Sequence, residues 1–287
     1  MSKKSKNAST ARDTLRILDQ GFYINKKNQK VSVAAIQQKA VKDSVHYKPE
    51  MFADVFNKRD QIVRREEKQT AIEVINETTL YAAKVLKNEG FEKVLALNFA
   101  SAKNPGGGFQ NGAQAQEESL ARASGLYLTQ TAHWDMYEIN RGLESCLYTD
   151  HMIYSPDVPV FRDDEDELLD APYTVSFITA PAVNAGVVMQ RSNKDDQEAI
   201  PSVMLARTEK VLSLAMVHGY RALVLGAWGC GVFRNNPTDV AEYFRYHLMD
   251  NPVFQNVFEK ILFAVWDRSE KETTIESFRK VFLQPKI

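Results

Sequence analysis

The sequence predicts a three-layer α/β domain, a sheet with helices on both faces. Short, almost wholly apolar runs at Val94–Asn98, Ala222–Gly226 and Lys260–Trp266 have the make-up of strands buried on both sides. They alternate with stretches of helical period, the pattern of an α/β sheet. Glycine-rich segments follow the first two runs, and open α/β sheets bind ligands beyond the carboxyl ends of their strands.

The elements follow in chain order. Leu15, Ile17, Leu18 and Phe22 recur at roughly helical spacing around Gly21, which predicts a short helix over 11–23. The decade before it, 1–10, is polar and reads as a disordered tail. Lys30–Ala34 alternates like a brief strand, Tyr47–Glu50 reads as extended, and residues 60–68 form a charged, solvated stretch. A helix is predicted over Glu73–Gly90, with Thr79, Leu80, Ala83, Val85 and Leu86 inward and Gly90 as its stop. After Val94–Asn98 a second helix is predicted over Gln116–Gln130, followed by strands at His151–Ser155 and Tyr173–Thr179 around an acidic loop, Asp163–Glu167. A polar loop at Gln190–Glu198 leads to a helix over Ser202–His218, and another helix over Pro237–Met249 separates the last two strands.

Composition bounds the function. With 287 residues, 44% apolar and 25% charged, the chain has ordinary globular make-up. Lysine plus arginine (36) balances aspartate plus glutamate (37), so no net field draws a nucleic acid or an anionic membrane, and an anionic ligand must be held locally. Cys146 and Cys230 are too few for a disulfide framework and lack zinc-site spacing. No apolar run approaches the ~18 residues that span a bilayer. These features predict a soluble, intracellular protein, cytoplasmic, or nuclear in a eukaryote, that needs no metal or cofactor.

The segment Asn98–Leu120 concentrates the chemistry. Three consecutive glycines, Gly106, Gly107 and Gly108, carry a large entropic cost on folding and suggest that a ligand approaches bare backbone. A second loop, Gly226–Phe233, leads to Asn236 and Pro237, which suit a helix start, and exposed N–H groups there suit a phosphate or pyrophosphate. A Rossmann site is disfavoured because the third glycine and the ribose-binding acid are missing, and no Walker A motif is present. Glu117 and Glu118 could merely complement a helix dipole, but only twelve residues separate Gly106 from Glu118, and that proximity tips the pair toward function. Adjacent helix positions point about 100° apart, so the two cannot flank a scissile bond, and one carboxylate would act as acid–base alone. Arg122 could pair with Glu118 at i+4. His133, His151, His218 and His247 are scattered, and Tyr127, Trp228 and Phe233 read as core aromatics or as packing for a ribose or base.

The stretch Pro105–Phe109 together with Gln116–Leu120 resembles the Gly-Gly-Gly…Gln-Glu-Glu signature of microbial-type poly(ADP-ribose) glycohydrolases, which are built on the macrodomain fold. The similarity extends to Thr14–Tyr23, Asn76–Thr79, Ser155–Val160, Ile178–Asn184 and Val224–Phe233, and so runs from residue 10 to 267. It implies a mixed macrodomain-like sheet and a single catalytic domain over 11–287, with accessory N-terminal helices over 11–90 and a core over 91–270. It also implies hydrolysis of ribose–ribose bonds in poly(ADP-ribose) on modified proteins, by a monomer. In that family pattern Glu118 is the acid–base and Glu117 holds ribose hydroxyls. Gly106 to Gly108 line the terminal ribose and diphosphate, and Gly229, Cys230, Gly231, Val232 and Phe233 form the second diphosphate loop, with Phe233 packed on the ribose. Asn98 and Gln116 complete the substrate-binding set. Asn98 and Ser101 stand where macrodomains often carry Asn-x-x-Asn, the second position being serine here. Two alternatives share the fold: hydrolysis of mono-ADP-ribose from protein or nucleic acid, and an ADP-ribose reader without catalysis, which would need no paired glutamates.

Overall fold

The computed structural model describes residues 2–62, 69–191 and 193–283, so most of the charged stretch 60–68 lies outside the described residues. In chain order the elements are α1 (Lys3–Gln20), β1 (Phe22–Ile24), β2 (Lys30–Ser32), α2 (Ala34–Lys42), β3 (Val45–Tyr47), α3 (Phe52–Asp60), β4 (Ala71–Ile75), α4 (Thr79–Asn88) and β5 (Val94–Phe99). Then come α5 (Gln116–Ala123), α6 (Leu126–Thr131), α7 (Trp134–Arg141), β6 (Met152–Arg162), β7 (Leu168–Ala180), α8 (Ala185–Gln190), α9 (Lys194–Val217), β8 (Ala222–Leu225), α10 (Pro237–Arg245), β9 (Lys260–Ala264) and α11 (Thr273–Leu283). The main sheet has seven strands in the order β3-β6-β7-β5-β8-β9-β4, and β1 pairs with β2 in a separate two-stranded ribbon. Antiparallel pairing joins β3, β6 and β7, whereas β5, β8, β9 and β4 run parallel, so the sheet is mixed.

Two compact units divide the chain. The first comprises 1–47, 98–142 and 151–180, and the second 48–97, 143–150 and 181–287. In the second unit the apolar runs behave as their composition demands: all four residues of β8 and four of the five in β9 are buried. Trp228, Phe244 and Phe263 form part of this core, with Phe244 edge-on to Phe263 at 5.5 Å. In the first unit, Ile17, Leu18, Tyr23, Val33 and Phe161 make one buried cluster, and Ala11, Phe109 and Ala121 another.

Several expected boundaries move, each for a local reason. Helix α1 begins at Lys3, so residues 3–10 are helical and not an unstructured tail. Ser2 caps its first turn, and Asn7 is buried with its amide donating to Gln114 Oε1 (2.8 Å) and to the carbonyl of Gly112 (3.4 Å). Gly21 then ends it in the left-handed conformation, as its position suggests. Residues 73–75 are strand, since Ala71–Ile75 pairs in parallel with Lys260–Ala264, and α4 starts only after Thr78, whose hydroxyl accepts from the Tyr81 N–H. Strand β6 continues past Ser155 because the Pro156–Asp157 step is absorbed as a bulge, Asp157 adopting φ +46° and donating its N–H to Ser176 Oγ. Helix α9 starts at Lys194, capped by Asn193, and carries Pro201 in its interior. Helices α2 and α3 fall within the span expected to hold accessory helices, the helix predicted over Pro237–Met249 ends in a π-type turn at Tyr246–Asp250, and α11 has no counterpart among the predicted elements.

The helix predicted over 116–130 is in fact two. Ser124 is extended and bridges to Val160, its hydroxyl donates back to the Leu120 carbonyl, and the Gly125 N–H donates to Pro159 O. That break turns α6 so that its side chains lie alongside those of α5. Its consequence appears in the site.

Candidate active site

The loop after β5 folds back over the first turn of α5. Three turns do this: Ser101 Oγ accepts from the N–H groups of Lys103 and Asn104, Gly107 donates to the Asn104 carbonyl, and Phe109 donates to that of Gly106. Phe109 is fully buried with its ring 4.9 Å from that of Tyr127, which anchors the loop's far side. Gly107 holds φ +57°, and a Cβ there would lie 2.4 Å from Glu118 Oε1 and 3.2 Å from Glu117 Oε2. Glycine is therefore required twice over, by conformation and by the carboxylates beside it.

Both glutamates come to this one loop, but in different environments. Glu118 is half-buried, and its Oε1 accepts from the Gly108 N–H at 3.0 Å. Glu117 is 3% exposed. Its Oε1 accepts from Gln130 Nε2 (2.7 Å) and Asn98 Nδ2 (3.2 Å), and its Oε2 accepts from the Ser101 N–H (2.7 Å). Asn98 also donates to Thr179 Oγ1 (3.1 Å). Burial pushes the Glu117 carboxyl up to about 8; the three donors pull it down, and the Glu118 charge raises it. A carboxylate offers about four acceptor positions. Among the described residues three are filled, and the remaining one is on Oε2, on the side where Gly107 lacks a Cβ.

The predicted residues are partly brought together. Asn98, Gly106 to Gly108, Gln116, Glu117 and Glu118 form one constellation in the first unit. Gln116 Oε1 accepts from the Phe99 N–H (2.9 Å), tying the start of α5 to the end of β5. Gly229, Cys230, Gly231, Val232 and Phe233 belong to the second unit and form the loop after β8. There Gly229 has φ +73°, and a Cβ would meet Asn235 Nδ2 at 2.6 Å; the Asn235 side chain donates to the carbonyls of Gly229 and Val183. Asn236 caps α10 as predicted, Val232 is 81% exposed, and the Phe233 ring lies 6.0 Å from that of Tyr148, itself at φ +58°. Burial pushes the Cys230 thiol up to about 12.

Other expectations change. Arg122 does not pair with Glu118: it is buried, and its guanidinium donates to Ala113 O, Gln114 Oε1 and Ser119 Oγ, with Asp166 at 3.4 Å. The acidic run is a turn, Asp163 Oδ1 accepting from the N–H groups of Glu165 and Glu167. His133 and His151 are not scattered, for His46 lies between them: His46 Nε2 is 2.7 Å from His151 Nδ1, and its ring is 6.0 Å from that of His133. Trp228 is core. Gln130 and Thr179 escape sequence reasoning, because no spacing rule links them to Glu117 or to Asn98; only the break at Ser124 swings Gln130 onto the carboxylate.

A mixed α/β fold here sets a buried and a half-buried carboxylate under a glycine loop. Residues 11–163 match the family model for the microbial-type poly(ADP-ribose) glycohydrolase catalytic domain. The solved poly(ADP-ribose) glycohydrolase of Thermomonospora curvata is 42% identical over 97% of this chain and 100% of its own, with a TM-score of 0.91; its complex with the inhibitor ADP-HPD gives 0.88. That of Deinococcus radiodurans in complex with ADP-ribose is 44% identical over 86% of this chain and 96% of its own, with a TM-score of 0.79. Comparison with curated proteins gives no match. The chain belongs to the microbial-type poly(ADP-ribose) glycohydrolase family, and its sheet is macrodomain-like.

Proposed function

We propose that this protein hydrolyses the ribose–ribose bonds of poly(ADP-ribose) on modified proteins and releases ADP-ribose, with Glu118 as acid–base. The observation that carries the reading is the pairing of carboxylates under Gly107 and Gly108. Glu118 is fixed through one oxygen by the Gly108 N–H, and its other oxygen makes no hydrogen bond among the described residues. In its acid form it donates to the departing ribose oxygen; as carboxylate it then takes a proton from water attacking the anomeric carbon. The oxocarbenium-like centre in between is stabilised by that carboxylate and by the substrate's own diphosphate.

Glu117 has a different part. Its one open acceptor position fits a ribose hydroxyl, which would donate to Oε2 and orient the sugar over Glu118. Asn98 acts through Glu117, and Gln116 holds the start of α5. Gly106 to Gly108 pass the terminal ribose and diphosphate at backbone distance. Gly229 to Phe233 supply the second diphosphate loop, Phe233 packing on a ribose. The reading keeps 11–287 as one catalytic domain acting as a monomer in the cytoplasm. No helix among the described residues is long and apolar enough to cross a membrane.

The test is to follow ADP-ribose release from poly(ADP-ribosyl)ated and mono(ADP-ribosyl)ated protein. Release from the polymer is expected, with Glu118→Gln lowering kcat by roughly 10²–10⁴ while ADP-ribose still binds. Binding of ADP-ribose without release from either substrate would make the protein a reader and sink the proposal.

A further inference from the structure

We infer that Gln130 is a positioning residue for the reaction: by donating to Glu117 Oε1 it holds that buried carboxyl in its ionised, hydroxyl-accepting form. Gln130 has this part only if Glu117 takes the ribose hydroxyl, the reading proposed above. Three observations support it. Gln130 Nε2 makes the shorter of the two hydrogen bonds to Oε1, 2.7 Å against 3.2 Å for Asn98. Gln130 is itself fully buried, so water does not replace its amide if it is removed. Finally, the two donors fill both acceptor positions of Oε1, which confines an incoming ribose hydroxyl to Oε2 beside Gly107.

The groups facing Glu117 can be named from each element. Asn98 comes from β5, the Ser101 N–H from the glycine loop, Glu118 from α5 and Gln130 from α6. From α7 comes Tyr137, whose phenol is fully buried and pushed well above its ordinary range by burial and then by the Glu117 charge, with Gln130 and Arg141 opposing, so it remains neutral. Among the described residues no cation pairs with Glu117. Once Glu117 is ionised, dipoles stabilise its charge, and Gln130 supplies the closest of the side-chain dipoles.

The consequence is a specific signature in the pH profile. Productive binding needs Glu117 ionised and Glu118 in its acid form in the free enzyme, so kcat/KM is bell-shaped in pH, and lifting the Glu117 titration lowers its summit. Gln130→Met keeps the length and removes the donor. It should lower kcat/KM for poly(ADP-ribose) at neutral pH by at least about tenfold and carry the limb that belongs to Glu117 to higher pH by about one pH unit. Gln130→Glu keeps the shape and can donate only while protonated. Its kcat/KM should be greatest while the two carboxyls share one proton and fall on either side, in acid because Glu117 is protonated and in alkali because the donor is lost, a narrower profile than that of wild type.

The measurement is kcat/KM from about pH 5 to 9.5, a span that brackets the titration of a raised carboxyl, for wild type, both Gln130 variants and Glu117→Gln, with thermal melts of each. A wild-type limb in both folded Gln130 variants overturns the inference; if Gln130→Met does not fold, the profile of Gln130→Glu decides alone. Full activity in Glu117→Gln refutes the underlying reading instead, whatever Gln130 does. A disabled Glu117→Gln with unmoved Gln130 profiles leaves the reading and removes only the part assigned to Gln130.

Discussion

At the scale of single residues, the site is a problem in fitting two carboxylates against backbone. Gly107→Ala tests it. The new methyl would need a left-handed conformation that costs an L residue about 1–2 kcal/mol, and it would sit 2.4 Å from Glu118 Oε1. Loss of stability should therefore be modest, while hydrolysis should fall by at least about 100-fold, since displacing an acid–base group forfeits much of the roughly 10²–10⁴ it supplies. Urea unfolding and single-turnover release of ADP-ribose separate the two effects; unchanged turnover would mean that Gly107 does not set the position of Glu118. The glutamate pair and the glycines are legible in the sequence because they are contiguous and chemically unusual. Gln130 and Thr179 are not, since their contribution depends on a tertiary approach that no local spacing encodes.

At the scale of elements, helix α1 is a buttress of the glycine loop, and this is the feature that composition hides. Its polar first decade reads as a tail when judged by hydropathy, yet Asn7 is 3% exposed and bonded to the loop's far end at Gly112 and Gln114. Arg122 grips the same end from α5 through Ala113 O and Gln114 Oε1. Asn7→Leu removes one side of this clamp and should destabilise the protein by about 1 kcal/mol, the net worth of an ordinary buried hydrogen bond. It should also raise KM more than it lowers kcat, because the loop loosens before substrate binds. A variant with unaltered KM would show that the loop is self-supporting. The division of the expected helix at Ser124 has the same lesson. Leu120, Ala123 and Leu126 keep a helix-like spacing across the break, so periodicity joins them, whereas the Ser124–Val160 bridge and the Gly125–Pro159 hydrogen bond that part them are made to a strand distant in the chain.

At the scale of the whole molecule, the α/β class and the central apolar strands are legible, because a strand buried on both faces leaves a contiguous apolar run. Short edge strands such as β3, half-buried and three residues long, leave none. The buried ionisable groups are equally invisible, and they govern how stability depends on pH. Burial lowers His46, His133 and His247 below the ordinary histidine value, and it brings His218 down to about 4, with Lys93 and Lys58 acting in the same direction. Each of these histidines binds fewer protons folded than unfolded between its two values, so each withdraws stability as pH falls below about 6.5. Glu117 works the other way: raised from 4.5 to about 8, it binds more protons folded than unfolded, and its contribution, whole below 4.5, is lost as pH rises toward 8. Below about pH 6.5 the histidines and Glu117 therefore act against one another, whereas from about pH 6.5 to 8 the melting temperature should decline through Glu117. His218→Leu should lessen the loss of stability in acid without altering the alkaline decline, whereas Glu117→Gln should flatten the alkaline decline and deepen the acid loss, since the Glu117 contribution grows all the way down to pH 4.5. Melts across roughly pH 4 to 8.5 decide the matter: an acid slope in His218→Leu equal to that of wild type would mean that this histidine titrates alike in the folded and unfolded chain.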